Sequence, residues 1–210
     1  MYLVFRDEVF PFIKSLNSDD QSAYSQFMKD AVFIIPTPSL LERAVTMISE
    51  IPMEDRDTKG DLYEYLLSKI ASAGVNGQFR TPRHIIRLMV DLMAPQPNEV
   101  ISDPACGTCG FLVAAGEHLR EHHPKLFHNK AQREHFQTKM FHGADFDASM
   151  LRIGAMNMTL HGVEHPDIQR IDSLSQDDGG HVRDRFTLIL AIRRSRVRWI
   201  MRRWPKTCCR

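Results

Sequence analysis

The stretch Glu99-Val100-Ile101-Ser102-Asp103-Pro104-Ala105-Cys106-Gly107-Thr108-Cys109-Gly110-Phe111-Leu112 decides how this chain is read. A short apolar run suited to a buried strand ends on Asp103. Pro104 and Gly107 mark a tight turn, and Phe111, Leu112, Ala114, Ala115 and Leu119 follow at helical spacing. A strand that feeds a helix through a glycine turn places helix N-terminal N–H groups and one acid at the carboxyl edge of a sheet. That edge is where α/β folds take nucleotide-like ligands.

Outward from this stretch the pattern repeats. Met140–Asp145 reads as a second short strand ending on an acid, Ala148–His161 as a helix closed by Gly162, and Ile168–Ile171 as a third strand running into Asp172-Ser173. Phe186–Ala191 is apolar throughout, as expected of a central parallel strand. Strand, helix, strand, helix, strand, strand argues an α/β fold with a parallel sheet, in which Asp103, Asp145 and Asp172 line one crevice. Upstream, Thr81-Pro82 opens a helix whose apolar face is Ile85, Ile86, Met89, Leu92 and Met93. Lys125–Lys139 reads as a polar, His-rich surface helix. Residues 1–75 form a helical lobe, with Leu40, Leu41, Ala44, Val45 and Ile48 on one helix and Leu62, Tyr63, Leu66, Leu67 and Ile70 on the next. The expected division is 1–75 helical lobe, 76–191 sheet domain and 192–210 tail.

Composition narrows the class. With 43% hydrophobic residues in 210, a packed core is expected rather than wholesale disorder. No apolar run approaches the roughly 18 residues that span a bilayer, so no membrane association is expected. The four Cys fit a reducing cytoplasm. The net charge of +1 hides an asymmetry: Ile192–Arg210 holds seven Arg and one Lys and no acid. Without those eight, the 27 basic residues fall to 19 against 26 acidic ones, a charge of −7. The body is acidic and the tail is foreign to it. The ten His show no ligand spacing; His118, His122 and His123 read as a polar surface, and no metal site is expected.

Gly77–Pro82 followed by Asp103–Phe111 resembles the paired signature of the modification (adenine-specific N6 DNA methyltransferase) subunit of type I restriction-modification systems. In that family the helix-opening motif ends in Phe-x-Thr-Pro and the loop reads Asp-Pro-Ala-Cys-Gly-Thr-Gly-Gly-Phe. The resemblance extends through Asp145 and Asp172-Ser173-Leu174 and covers nearly all of residues 1–191. It implies a Rossmann-like, S-adenosyl-L-methionine-dependent methyltransferase sheet behind an N-terminal helical lobe. It also implies that Asp103, Ala105, Gly107, Thr108 and Gly110 cradle the amino-acid end of the cofactor, with Phe79, Thr81 and Pro82 against the same end. Asp145 would accept from the ribose hydroxyls and Asp172 would meet the adenine. The implied partners are DNA, a specificity subunit and a restriction (nuclease/translocase) subunit.

Two departures stand out. Cys109 occupies a position where the family usually has Gly, and a side chain there is expected to crowd the methionine end and weaken cofactor binding. Cys106-Gly107-Thr108-Cys109 also keeps open a thiol-disulfide redox reading, since Cys-x-x-Cys at a strand-to-helix turn is how thioredoxin-like sites begin. The second departure is larger. The family's chemistry needs Asn-Pro-Pro-Phe or -Tyr after the fourth strand, to hold an adenine flipped out of the duplex. This chain reads Ile192-Arg193-Arg194-Ser195 there, so no catalytic residue is assigned. Codons compatible with Ile192–Arg210, preceded by one added adenine, translate as Asn-Pro-Pro-Phe followed by a stop-free, acidic, helix-forming sequence. The expectation is an incomplete sheet truncated by a one-base frameshift after Ala191, with an N-terminal lobe that is itself short for the family. The competing reading makes the Arg-rich tail a nucleic-acid-binding segment.

Overall fold

The computed structural model describes residues 1–15, 25, 28–29, 31–50, 63, 65, 81–173 and 185–192. Four strands lie in one parallel sheet: β1 (Ile101–Asp103), β2 (Phe141–Asp145), β3 (Asp167–Arg170) and β4 (Leu188–Ile189), in the order β3-β2-β1-β4. Parallel neighbours cannot be joined by a hairpin, and helices make the two crossings that the described residues show, from β1 to β2 and from β2 to β3. The chain steps outward from β1 to β2 to β3, then returns to the far side of β1 as β4. The direction of travel therefore reverses between β1 and β4, and Asp103 ends β1 at that switch point.

The first helices are α1 (Tyr2–Val4), a π-helical turn (Phe5–Val9) and α2 (Phe10–Lys14). The rings of Tyr2, Phe5 and Phe10 gather round Phe33 at 5.6–5.9 Å between centroids. Helix α3 (Pro38–Ser49) starts where Thr37 Oγ1 accepts the Leu40 N–H and Pro38 needs no N–H partner. Of the apolar positions read on α3, Leu41 is buried while Leu40 and Ile48 face solvent. The next helix of the lobe reading lies outside the described residues except for Tyr63 and Tyr65, both helical.

Helix α4 (Arg83–Met93) follows Pro82 and stops at Ala94, which is left-handed at φ 45. Its buried residues are Ile86 and Val90; Ile85, Leu92 and Met93 are exposed, Leu92 by 76%. At 100° per residue the apolar arc of α4 is roughly 200° wide, and the core covers only the half centred on Ile86 and Val90. Periodicity located the arc and missed which half is covered.

Helix α5 (Gly110–His122) buries Phe111, Leu112, Ala114, Ala115 and Leu119, as its spacing predicts. The polar stretch behind it divides into a 3₁₀ turn (Pro124–His128) and α6 (Lys130–Thr138), separated by Asn129, whose Oδ1 accepts the Ala131 and Gln132 N–H groups. It is not simply a surface helix, because Leu126 and Phe136 are fully buried. His118 is not a surface residue either: it is buried, with its Nδ1 3.0 Å from Asp91 Oδ1 on α4. Helix α7 (Ala148–Leu160) is capped by Asp147, whose carboxylate accepts the Ser149 N–H. Strand β3 begins one residue earlier than its apolar pattern suggests. The pairing of β4 is shorter than Phe186–Ala191, although the Thr187 and Leu190 N–H groups extend it by donating to Val100 and Ser102. In the described sheet β4 is an edge strand, and Ile189 is 60% exposed.

The core is one cluster joining α4, α5, α6, α7 and the sheet. Phe136 stands edge-on to both Phe127 and Phe141 at 5.1 Å, beneath the Arg120 guanidinium. Phe136→Ala is expected to cost about 3–5 kcal/mol, the usual range for truncating a buried aromatic. Urea unfolding followed by circular dichroism would measure it.

Candidate cofactor site at the carboxyl edge of the sheet

Four backbone N–H groups of the turn after β1 donate hydrogen bonds that hold it down. The Ala105 N–H donates to Asp103 Oδ1 at 3.0 Å, a local turn that short acids and amides favour. The Cys106 N–H donates to the Ala144 carbonyl at 2.9 Å, and the Gly107 N–H to Asp145 Oδ2 at 2.9 Å. The Cys109 N–H closes the turn on the Cys106 carbonyl at 2.7 Å. Gly107 sits at φ 51, in the left-handed region that glycine enters at low cost. Gly110 is the first residue of α5, so the unpaired N–H groups of that helix open at the strand edge.

Asp145 does two jobs with its backbone neighbours. Its Oδ2 takes the Gly107 N–H, and its Oδ1 takes the Asp147 N–H at 2.9 Å. A carboxylate offers about four lone-pair sites, so two remain for a ligand. The third acid comes close through its neighbour: the Ser173 hydroxyl donates to the Pro104 carbonyl, which draws exposed Asp172 to the same turn. Thus Asp103, Ala105, Gly107, Thr108 and Gly110 share one turn, Asp145 at the end of β2 is bonded to it, and Asp172 adjoins the Ser173 that reaches it. Thr81 and Pro82 stand at the start of α4, which Arg83 fastens to Glu117 of α5 at 3.1 Å. Hydrogen bonds among the described residues join neither of them to the turn. Phe79 lies outside the described residues.

Asp103 is 2% exposed. Burial pushes its carboxyl up from 3.8 to about 7; the Ala105 N–H offsets part of the rise and the charge of Asp145 adds to it. Two carboxylates facing one loop make a site that favours a positively charged ligand.

Cys109 corrects the sequence reading. It lies at φ 60, where glycine is the easy choice, and its side chain is fully buried. A Cβ built on Gly154 of α7 would lie 2.6 Å from Cys109 Sγ, so the thiol fills the notch above that glycine. The left-handed backbone aims the side chain into the core, away from the crevice it was expected to crowd. Cys106 is also buried, its Sγ packed toward Gly143. The hydrogen bond to Cys106, burial and the nearby carboxylates all push the Cys109 thiol up. A redox thiol needs exposure and a lowered pKa, so the redox reading is not favoured. Of the basic tail only Ile192 is among the described residues.

Three site features escaped the sequence reading. Phe146, directly after Asp145, is 68% exposed, with the Arg170 guanidinium 5.5 Å from its ring. A large aromatic immediately after a strand-end acid was the available signal. Asn157 and Gly154 of α7 touch the loop from below, and nothing local marks them.

A parallel sheet with a glycine-rich, acid-flanked turn at its switch point defines a Rossmann-like α/β protein. Residues 54–194 match the N-6 DNA Methylase family, and the chain belongs to that family. It is similar to the type I restriction enzyme EcoEI methylase subunit of Escherichia coli, 32% identical over 170 residues, covering 76% of this chain and 34% of that one. The EcoKI methylase subunit of Escherichia coli K12 is 30% identical over 158 residues, 71% of this chain and 30% of that one. Among solved structures, a modification subunit from Vibrio vulnificus YJ016 superposes with a TM-score of 0.70 at 30% identity, covering 87% of this chain and 39% of that one. A chain from a study of complex assembly in the type I R-M system gives 0.67 at 26% identity, covering 90% of this chain and 39% of that one. The chain spans about a third of the length of these curated relatives. Among the described residues no helix is long and apolar enough to cross a membrane.

The raised carboxyl of Asp103 sets a pH dependence. The folded chain keeps a proton that the unfolded chain releases above pH 3.8, so stability falls as the pH rises from there to about 7 and is level beyond. Asp103→Asn keeps the acceptor for Ala105 and removes the charge. Its urea midpoint should exceed that of the parent at pH 8, and the two should draw together toward pH 4.

Proposed function

We propose that Asp103–Gly110, Asp145 and Asp172 form the S-adenosyl-L-methionine cradle of an adenine-specific DNA methyltransferase subunit of a type I restriction-modification system. The observation that carries this is the buried Asp103 carboxyl, raised to about 7 beside a second carboxylate at the sheet's switch point. S-adenosyl-L-methionine, when bound, supplies an electrophilic methyl group, and its ammonium and sulfonium charges suit such a site.

The residues present fit that ligand. Asp103 offers a charge partner for the ammonium. The N-terminal N–H groups of α5 suit the carboxylate. The spare lone pairs of Asp145 suit the ribose hydroxyls, and exposed Phe146 presents an apolar face for the base. Asp172, the neighbour of the Ser173 that bonds to Pro104, is proposed to meet the adenine amino group. Thr81, Pro82 and Phe79 are proposed to border the methionine end.

Holding the cofactor is separate from using it. Presenting an adenine amino group to the methyl requires a flipped base, gripped by groups that accept from N6 and stack on the ring. The sequence holds no Asn-Pro-Pro-aromatic motif. We therefore assign this chain, as it stands, a cofactor-binding role without transfer, and attribute the sequence after Ala191 to a frameshift. DNA, a specificity subunit and a restriction subunit are the proposed partners of the whole protein, and the cytoplasm its proposed location. The helical lobe 1–75, the partial methyltransferase domain 76–191 and the tail 192–210 are its proposed parts.

Titration calorimetry with S-adenosyl-L-methionine tests the cradle. Asp103→Ala and Asp145→Ala should each weaken binding at least about tenfold, near 1.4 kcal/mol. Cys109→Gly should change it by less than about threefold, because the thiol points into the core. An absence of binding by the parent would overturn the cradle, and tritium transfer to DNA with a specificity subunit present would overturn the inactivity.

A further inference from the structure

Helix α7 meets the cofactor loop through two residues three apart, Gly154 and Asn157, which share a face of the helix. Asn157 is fully buried, and its Nδ2 donates to the Thr108 carbonyl at 2.9 Å, across 49 residues of chain. A carboxamide in a core is costly unless it is hydrogen-bonded, so this position is committed to polar contact. Gly154 lets the helix come this close. A Cβ there would stand 3.0 Å from the Gly107 carbonyl oxygen and 3.5 Å from the Thr108 carbonyl carbon, besides its clash with Cys109 Sγ.

The contact falls on a sensitive peptide. The Thr108 carbonyl and the Cys109 N–H belong to one planar unit. Asn157 fixes the carbonyl end, and the Cys106 carbonyl fixes the N–H end at 2.7 Å. With both ends held, Cys109 is locked at φ 60, and the next residue, Gly110, starts α5. The direction of the first N–H groups of α5 is set by that peptide.

We propose that Asn157 is the positioning residue of the methyl-donor loop: its carboxamide locks the Thr108–Cys109 peptide and thereby aims the N-terminal N–H groups of α5 at the ligand. The ligand half of this inference rests on the cradle reading above; the locking of the loop does not. Its assigned role is positioning, through the bond to the Thr108 carbonyl.

Hydrogen–deuterium exchange on the full chain separates positioning from simple stability. Asn157→Ala and Asn157→Ser should speed exchange across Gly107–Phe111 at least tenfold more than in β2 and β3, and weaken S-adenosyl-L-methionine binding at least tenfold. Gly154→Ala, which pushes the helix off the loop, should do the same. Met158→Ala, a buried truncation on the same helix, should speed exchange evenly and leave the affinity ratio near one. If Asn157→Ala does not fold, the serine and Gly154→Ala arms decide. Exchange in the Asn157 variants that rises only as evenly as in Met158→Ala overturns the proposal. A parent chain that binds no S-adenosyl-L-methionine overturns the cradle reading, and the exchange arm still decides whether Asn157 locks the loop.

Discussion

The hydrogen bond from the Gly107 N–H to Asp145 Oδ2 joins the ends of two neighbouring strands, and the site is arranged around it. Asp145 closes β2, and Gly107 lies in the turn that follows β1. With the Cys106 N–H on the Ala144 carbonyl one residue earlier, the turn is sewn to the second strand. It cannot hang free over the sheet edge. That anchorage lets the chain reverse sharply at Gly107 and Cys109 and still begin α5 squarely above β1. It also draws a second negative charge toward Asp103, whose ordinary ionisation burial already opposes. The loop is thus held in place by the same carboxylate that raises its neighbour's affinity for a proton. An arrangement that strains one acid to anchor a loop suits a ligand that brings positive charge, and stability given up at a binding site is a common exchange.

The legible part of this site lay in residue types whose backbone preferences are strong. Pro104 and Gly107 announce a turn, Asp103 and Asp145 end apolar runs, and the apolar spacing from Phe111 to Leu119 fixes the following helix. These are local signals, and the parallel character of the sheet followed from stringing them together; the order β3-β2-β1-β4, with β4 at an edge, did not. The apolar arc of α4 was equally plain, yet a 3.6-residue period cannot say which half meets a neighbour. Ile86 and Val90 were chosen by contacts with α5, not by anything within α4.

Cys109 and Asn157 were misread or missed for a related reason. A cysteine in place of a glycine looks like an obstruction if its side chain is assumed to follow the loop outward. At φ 60 the Cβ instead turns inward, and the space it needs is supplied by Gly154, 45 residues away along the sequence. Asn157 sits between Met156 and Met158 in an ordinary helix, where one polar residue reads as solvent-facing. Its burial is decided by the approach of α7 to the loop, and that approach depends on Gly154 again. A substitution in the loop and a glycine in the helix form one unit that no local window contains.

The described contacts of the cradle all lie before residue 174. The anchor of the loop on β2, its support from α7 and the Ser173 bond to Pro104 are made without β4. Strand β4 adds a different thing, since it closes the far side of β1 and leaves Ile189 facing out on an edge. Exposed edges invite pairing with other strands, and an apolar one does so without discrimination. The described contacts of the loop thus fall on the β2 side of the switch point, and the exposed edge falls on the β4 side. Under the proposed function, cofactor binding and resistance to aggregation are set by different strands.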